Sequence, residues 1–202
     1  MASAAALKRL HLAVGSHPGL VLDPDDDADE FADEVGDLGA IVKAHATDVE
    51  TLVMCVYAYR KLGQFEEAHA VAATALALGR TFETVSAAAT VFRAEEDVDA
   101  AGKLFDEAAA IDPTDTSALM ESGKTFGQAE RFADAERCFA RAFERDPELA
   151  EAEMWAIYSG YAGCAGGEEK PFLARMKTFV KANPEDELAA EFLEKMEDFI
   201  NG

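Results

Sequence analysis

The sequence predicts an all-α protein made of antiparallel helical hairpins stacked side by side, and three observations carry that prediction. A frame of two alanines seven residues apart occurs three times, at Ala68 and Ala75, Ala101 and Ala108, and Ala135 and Ala142, so both series advance by 33 and then 34 residues. An aromatic precedes each first alanine by nine residues, at Tyr59, Phe92 and Phe126, and a second ring recurs at Phe105 and Phe139, with Ala72 at the matching place of the first unit. Ala, Leu, Glu, Lys and Arg dominate throughout, and no alternating apolar–polar run bounded by turns marks a strand. Small and large side chains on one spacing let two helix backbones approach closely while rings fill the neighbouring gaps. One hairpin cannot bury both of its faces, whereas stacked hairpins can, and the core then grows along one direction.

Taken in order, residues 1–48 predict N-terminal helices and an acidic loop. A short helix is expected over 4–14, followed by an irregular stretch over 15–26 with two prolines and a block of aspartates. A helix over 27–46 is expected to carry Phe31, Val35, Leu38 and Val42 on one face, which suits a divergent repeat. Residues 49–81, 82–115 and 116–149 are the three clear units, and two of them end in Asp-Pro, at Asp112-Pro113 and Asp146-Pro147, where proline stops the helix. Residues 150–184 read as a degenerate fourth hairpin, with helices over 150–161 and 171–182 joined by a turn containing Gly163, Gly166 and Gly167. Residues 185–202 read as a capping helix, with Leu188, Phe192, Met196 and Ile200 as its apolar stripe.

Composition narrows the function classes. The 202 residues hold 18 Lys and Arg against 40 Asp and Glu, a formal charge of −22 that opposes nucleic acid as a partner of the bulk surface. Half of the residues are apolar and 13 are Phe, too many for a disordered chain. The longest apolar run, 52–59, is less than half of the roughly 18 to 20 residues that span a bilayer, so no membrane partner is expected. No secretory signal is read at the start, and an odd count of three cysteines suits a reducing compartment; the expected location is the cytoplasm.

The three units resemble the tetratricopeptide repeat, a 34-residue helical hairpin. The first keeps Leu52, Tyr59, the turn Leu62-Gly63-Gln64-Phe65, Ala68 and Ala75, with Arg80 where the family has proline. The second keeps Val85, Phe92, Ala101, Phe105, Ala108 and Pro113, with Glu96 in place of the turn glycine. The third keeps Leu119, Gly123, Phe126, Phe132, Ala135, Phe139, Ala142 and Pro147. The resemblance covers about half of the chain and implies a right-handed α-solenoid; it implies a shared scaffold and not a shared activity.

In this family the first helix of each unit lines a concave face, with ligand contacts at its second, fifth, ninth, twelfth and thirteenth residues. Transferred to this chain, the resemblance implies a peptide-binding set of Glu50, Val53, Tyr57, Arg60, Lys61, Glu83, Ser86, Thr90, Arg93, Met120, Lys124 and Gln128, with Ala94, Ser117 and Gly127 completing the frame. Four cations stand there against two carboxylates, a local reversal of sign in an acidic protein, and Arg60 and Arg93 fall at equivalent places. Such a pair suits the carboxylates of an extended or helical peptide, with Val53, Tyr57 and Met120 adding apolar contact. The competing reading has these cations pairing with neighbouring glutamates inside the stack. Family members that clamp a chaperone's C-terminal carboxylate use Lys and Asn where this chain has Val53 and Tyr57, which disfavours that ligand.

Other motifs are weaker. Asp23 to Glu34 resembles a calcium-binding EF-hand loop, but Ala28 replaces the turn glycine and Glu30 an apolar residue, so the aspartates read first as helix caps. Cys164 lies in a glycine-rich turn near the helix at Pro171, a placement that lowers a thiol pKa when the helix dipole acts on it. His11, His17, His45 and His69 have no metal-ligand spacing. No catalytic constellation is legible, and no cofactor or metal is expected. The expected function is therefore a non-enzymatic scaffold that binds a peptide segment of a partner protein. The alternatives are an assembly chaperone for an apolar client, whose low pI and helical stack resemble type III secretion chaperones, and a regulator responding to calcium or oxidation. Oligomeric state is not legible.

Overall fold

The structure is a computed structural model and describes residues 4–16 and 27–201. Among the described residues there are twelve helices and no strand. The chain divides into two compact units, Met1–Asp112 and Pro113–Gly202.

In the first unit α1 (Ala4–Ser16), α2 (Ala28–Val35) and α3 (Leu38–Ala44) precede two hairpins, α4 (Val49–Lys61) with α5 (Phe65–Leu78) and α6 (Phe82–Ala94) with α7 (Val98–Ile111). Helix α4 runs beside α6, and α5 packs on α6; at the N-terminal side α1 packs on α2 and α4, and α3 packs on α4. The continuous helix expected over 27–46 is two helices. Gly36 takes φ +72°, which only glycine adopts without strain, and the Asp37 side chain accepts a hydrogen bond from the Ala40 amide at 2.9 Å to start α3. The break resets the helical phase, so Ile41 is buried where Val42 was expected, and Val42 is only half-buried. Asp27 caps α2, accepting from the amides of Asp29 and Glu30 at 2.9 and 3.1 Å.

The six alanines of the frame are all buried, none more than 1% exposed. The turns inside the hairpins also repeat. Gly63 and Glu96 take φ of +67° and +62° in the first unit, and Glu130 takes +57° in the second. After each, the next amide donates back five residues: Gln64 to the Tyr59 carbonyl, Asp97 to Phe92 and Arg131 to Phe126, at 2.8 to 2.9 Å. The turn thus closes on the carbonyl of the aromatic that fills the hairpin.

In the second unit α8 (Ser117–Gln128) and α9 (Phe132–Arg145) form a hairpin, α10 (Ala150–Gly163) lies along α9, α11 (Lys170–Ala182) packs on α10, and α12 (Glu187–Asn201) packs on α11. Glycines set the spacing. A Cβ on Gly123 would stand 2.6 Å from the Phe139 ring, and one on Gly160 would stand 2.2 Å from the Phe172 ring. Where the first helices of the clear units carry Tyr59, Phe92 and Phe126, α10 carries Gly160, and the ring that fills the space comes from α11. The apolar face of α12 also differs from the expected stripe: Ala189, Phe192 and Met196 are buried with Leu193 beside them, while Leu188 is 40% exposed. A spacing of four residues drifts by about 40° per step around a helix of 3.6 residues per turn, so four such residues cannot share one narrow stripe.

Candidate functional site

Each unit presents the expected ligand-facing residues on its own helices. In the first unit, α4 carries Glu50, Val53, Tyr57, Arg60 and Lys61, and the neighbouring α6 carries Glu83, Ser86, Thr90 and Arg93. Burial sorts this set. Glu50 and Glu83 are exposed, and Tyr57, Ser86, Thr90 and Arg93 are half-buried. Val53 is buried, and Arg60 and Lys61 are 6% and 4% exposed. The guanidinium of Arg60 sits 5.2 Å from the centre of the Tyr57 ring, which gives the cation a face to rest on. The expected Arg60–Arg93 pair is therefore uneven: Arg93 reaches the surface, and Arg60 is enclosed in the packing of α4.

In the second unit, Met120 on α8 is buried, Lys124 is half-buried and Gln128 is exposed. Lys124 Nζ lies 3.4 Å from Glu121 Oε1 on its own helix and 3.9 Å from Glu151 Oε1 on α10. That contact makes the competing reading, cations holding the stack together, the right one for this side chain in part. Glu151 also marks a further turn of the repeat frame. The 34-residue step that leads from Ser117 to Glu151 leads from Lys124 to Tyr158 and from Gly127 to Tyr161, so α10 continues the frame with two aromatics. The step itself was the available signal.

These aromatics are covered by α12. The Phe192 ring stacks on Tyr158 at 4.1 Å with an 18° interplanar angle and meets Trp155 edge-on at 5.3 Å, and Phe199 meets Tyr161 edge-on at 6.2 Å. Trp155 in turn stacks at 6.0 Å on Phe139 of α9.

Asp23 to Asp26 of the calcium-loop reading lie outside the described residues, and Asp27 Oδ1 is engaged by two amides of α2. Among the described residues no group of three or more His, Cys, Asp or Glu is placed to hold a metal ion. The lowered thiol pKa expected at Cys164 is reversed. Desolvation and the nearby Glu169 carboxylate raise it, and Sγ donates to the Tyr161 carbonyl at 3.0 Å. Glu169 itself stands at the start of α11, so the end of the helix nearest the thiol carries a negative charge. Cys55 is pushed up to about 12 by burial alone, and Cys138 is a buried neighbour of Ser122. A raised pKa at Cys55 and Cys164 leaves less of the nucleophilic thiolate at neutral pH. Among the described residues no helix is long and apolar enough to cross a membrane.

No family model matches the sequence, and no curated protein matches it. Solved structures do match its fold. The chain is similar to a MamA structure of AMB-1 (16% identity, TM-score 0.64, covering 91% of this chain and 99% of that one). It is similar to YrrB, described as a TPR protein with an unusual peptide-binding site (18% identity, TM-score 0.58, covering 92% and 89%). A tetratricopeptide repeat protein from Parabacteroides merdae matches at 14% identity and TM-score 0.67, covering 97% of this chain and 74% of that one. The chain has the helical-hairpin fold of tetratricopeptide-repeat proteins.

Proposed function

We propose that the chain is a non-catalytic scaffold that binds a segment of a partner protein on the first helices of its hairpins. The observation that carries this reading is the half-buried, surface-reaching face of α4 and α6, where Tyr57, Ser86, Thr90 and Arg93 lie on neighbouring helices whose first turns carry the exposed Glu50 and Glu83. An aromatic face, two hydroxyls and a guanidinium suit the backbone and carboxylates of a peptide. The likeness to YrrB, whose structure is described as having a peptide-binding site, supports the same reading. Val53, Arg60 and Lys61 serve as the buried support of the face, and in the second unit α8 carries its own proposed contacts, Lys124 and Gln128 over the buried Met120.

The test is affinity capture from the native cell extract with the wild-type chain and with a Tyr57→Ala/Arg93→Glu variant that circular dichroism shows to be folded. Arg60 is left untouched, because reversing a buried charge unfolds proteins for reasons unrelated to binding. A protein recovered by the wild type and lost with the variant is the expected outcome. Identical recovery by both proteins refutes the face.

A further inference from the structure

The aromatic face of α10 lies within the second unit and is made of residues other than those just proposed, and the chain covers it with its own last helix. Trp155, Tyr158 and Tyr161 project from α10, and α12 lays Phe192 across the first two and Phe199 against the third. Together with Met196, which is buried, these side chains follow the i, i+4, i+7 pattern by which an amphipathic helix enters a groove. Two features show that α12 fills the face incompletely. Phe199 remains 72% exposed although it touches Tyr161. The Tyr161 hydroxyl is buried with no hydrogen-bond partner, a loss that a better-fitted occupant recovers. Polar attachment between α12 and α11 includes the Lys177–Glu197 ion pair, 2.7 Å long on half-exposed side chains, where such pairs hold weakly.

We propose that the Trp155–Tyr158–Tyr161 face is a receptor for an amphipathic helix of a partner protein, and that α12 occupies it in cis as a displaceable internal ligand. The partner helix carries large apolar side chains at the spacing of Phe192, Met196 and Phe199, with a hydrogen-bond acceptor within reach of the Tyr161 hydroxyl. A second copy of the chain is the weaker occupant, since its α12 makes the contacts already made in cis and bears the added entropy loss of association. A partner segment that satisfies Tyr161 gains what α12 lacks. The inference rests on the chain being a protein-binding scaffold, but its test uses a defined peptide and is independent of the capture experiment.

The probe is a fluorescein-labelled synthetic peptide of residues 185–202, titrated into three full-length proteins: wild type, Phe192→Ala and Glu197→Lys. The first substitution removes the central apolar anchor of the internal helix; the second sets a lysine against Lys177 and leaves every apolar contact in place. An occupied site lowers apparent affinity by the fraction of molecules in which it is free. The expected order is Phe192→Ala binding the peptide about tenfold or more tightly than wild type, with Glu197→Lys between them. In the Phe192→Ala protein, which lacks the ring beside Trp155, this single tryptophan of the chain changes its emission as the peptide brings Phe192 back. A peptide that itself carries Phe192→Ala loses binding to all three. Equal affinity for the three proteins, or no binding to a Glu197→Lys protein shown to be folded, overturns the proposal. Conversion of the variants to dimers that the peptide does not dissociate overturns it in favour of exchange between copies.

Discussion

Glu96 and Glu130 hold a backbone conformation that costs an L residue about 1 to 2 kcal/mol, and they hold it because the turn demands it. Gly63 stands at the equivalent place of the first hairpin with open space around its missing Cβ, so the demand is on φ and not on room. Glu96→Gly is accordingly expected to stabilise the first unit by about 0.5 to 1 kcal/mol, the relief of strain being partly offset by a looser unfolded chain. Chemical denaturation at neutral pH reads it, and a lowered midpoint contradicts the argument. Gly123 is the opposite case. Its helix conformation suits any residue, but an added Cβ falls 2.6 to 2.8 Å from three atoms of the buried Phe139 ring, which Trp155 backs on another side. Gly123→Ala is expected to destabilise the second unit by about 1 to 3 kcal/mol through overpacking, visible as a lower thermal midpoint, and unchanged stability means the ring moves freely. Gly123 and Phe139 were legible as positions of the repeat frame. The exchange of an aromatic for Gly160, filled from the facing helix by Phe172, was not, because no local spacing says which ring crosses to an empty place.

At the scale of elements, hairpin joins replace the family's residues with other chemistry. Arg80 stands where the repeat has proline and fixes the turn between α5 and α6 differently: its Nε and a terminal nitrogen donate to the two carboxylate oxygens of Glu107 on α7, at 2.6 and 2.7 Å. A fork of this geometry stiffens the join as a fixed φ would. The hydrogen bond from Arg80 holds the Glu107 carboxyl below its usual pKa. A depressed carboxyl pKa stabilises the fold above the unfolded value and loses that contribution as pH falls through the folded value. The thermal midpoint of Arg80→Ala should therefore lie slightly below that of wild type near neutral pH, with the gap closing as pH drops below about 4. A gap independent of pH assigns the effect to packing of the arginine stem instead. Helices as units were legible because alanine and aromatic spacing repeats at fixed steps. The division of 27–46 at Gly36 was not, since Phe31, Val35 and Leu38 keep a helical rhythm across a residue whose conformation only the tertiary contacts of α2 and α3 decide. The burial of Arg60 escaped for a related reason: a cation at a frame position reads as surface until its own helix supplies the Tyr57 ring as a resting face.

Charge belongs to the whole molecule. With −22 formal charges on 202 residues, carboxylates outnumber possible partners by 22, so ion pairs such as Arg80–Glu107, Lys177–Glu197 and Lys195–Glu191 sit in a field of surplus negative charge. Self-repulsion of that size opposes the folded state more than the expanded one, because folding brings the charges closer. Dissolved salt shortens the range of the repulsion from about 10 Å at 0.1 M to about 3 Å at 1 M, while attraction between paired side chains in contact is screened less completely. The thermal midpoint is therefore expected to rise with sodium chloride across that range. Chloride is the right anion for this measurement, since sulfate strengthens apolar burial and would raise the midpoint of a neutral protein too. A midpoint that falls with salt means the ion pairs outweigh the surplus, and the acidity then serves something other than solubility. A rise has a consequence for binding as well: a partner segment bearing cations relieves the same repulsion that salt relieves, so its affinity weakens as the chain itself becomes more stable. A partner held by the aromatic face of α10 has no such coupling, and its affinity stays level or strengthens in the same salt series.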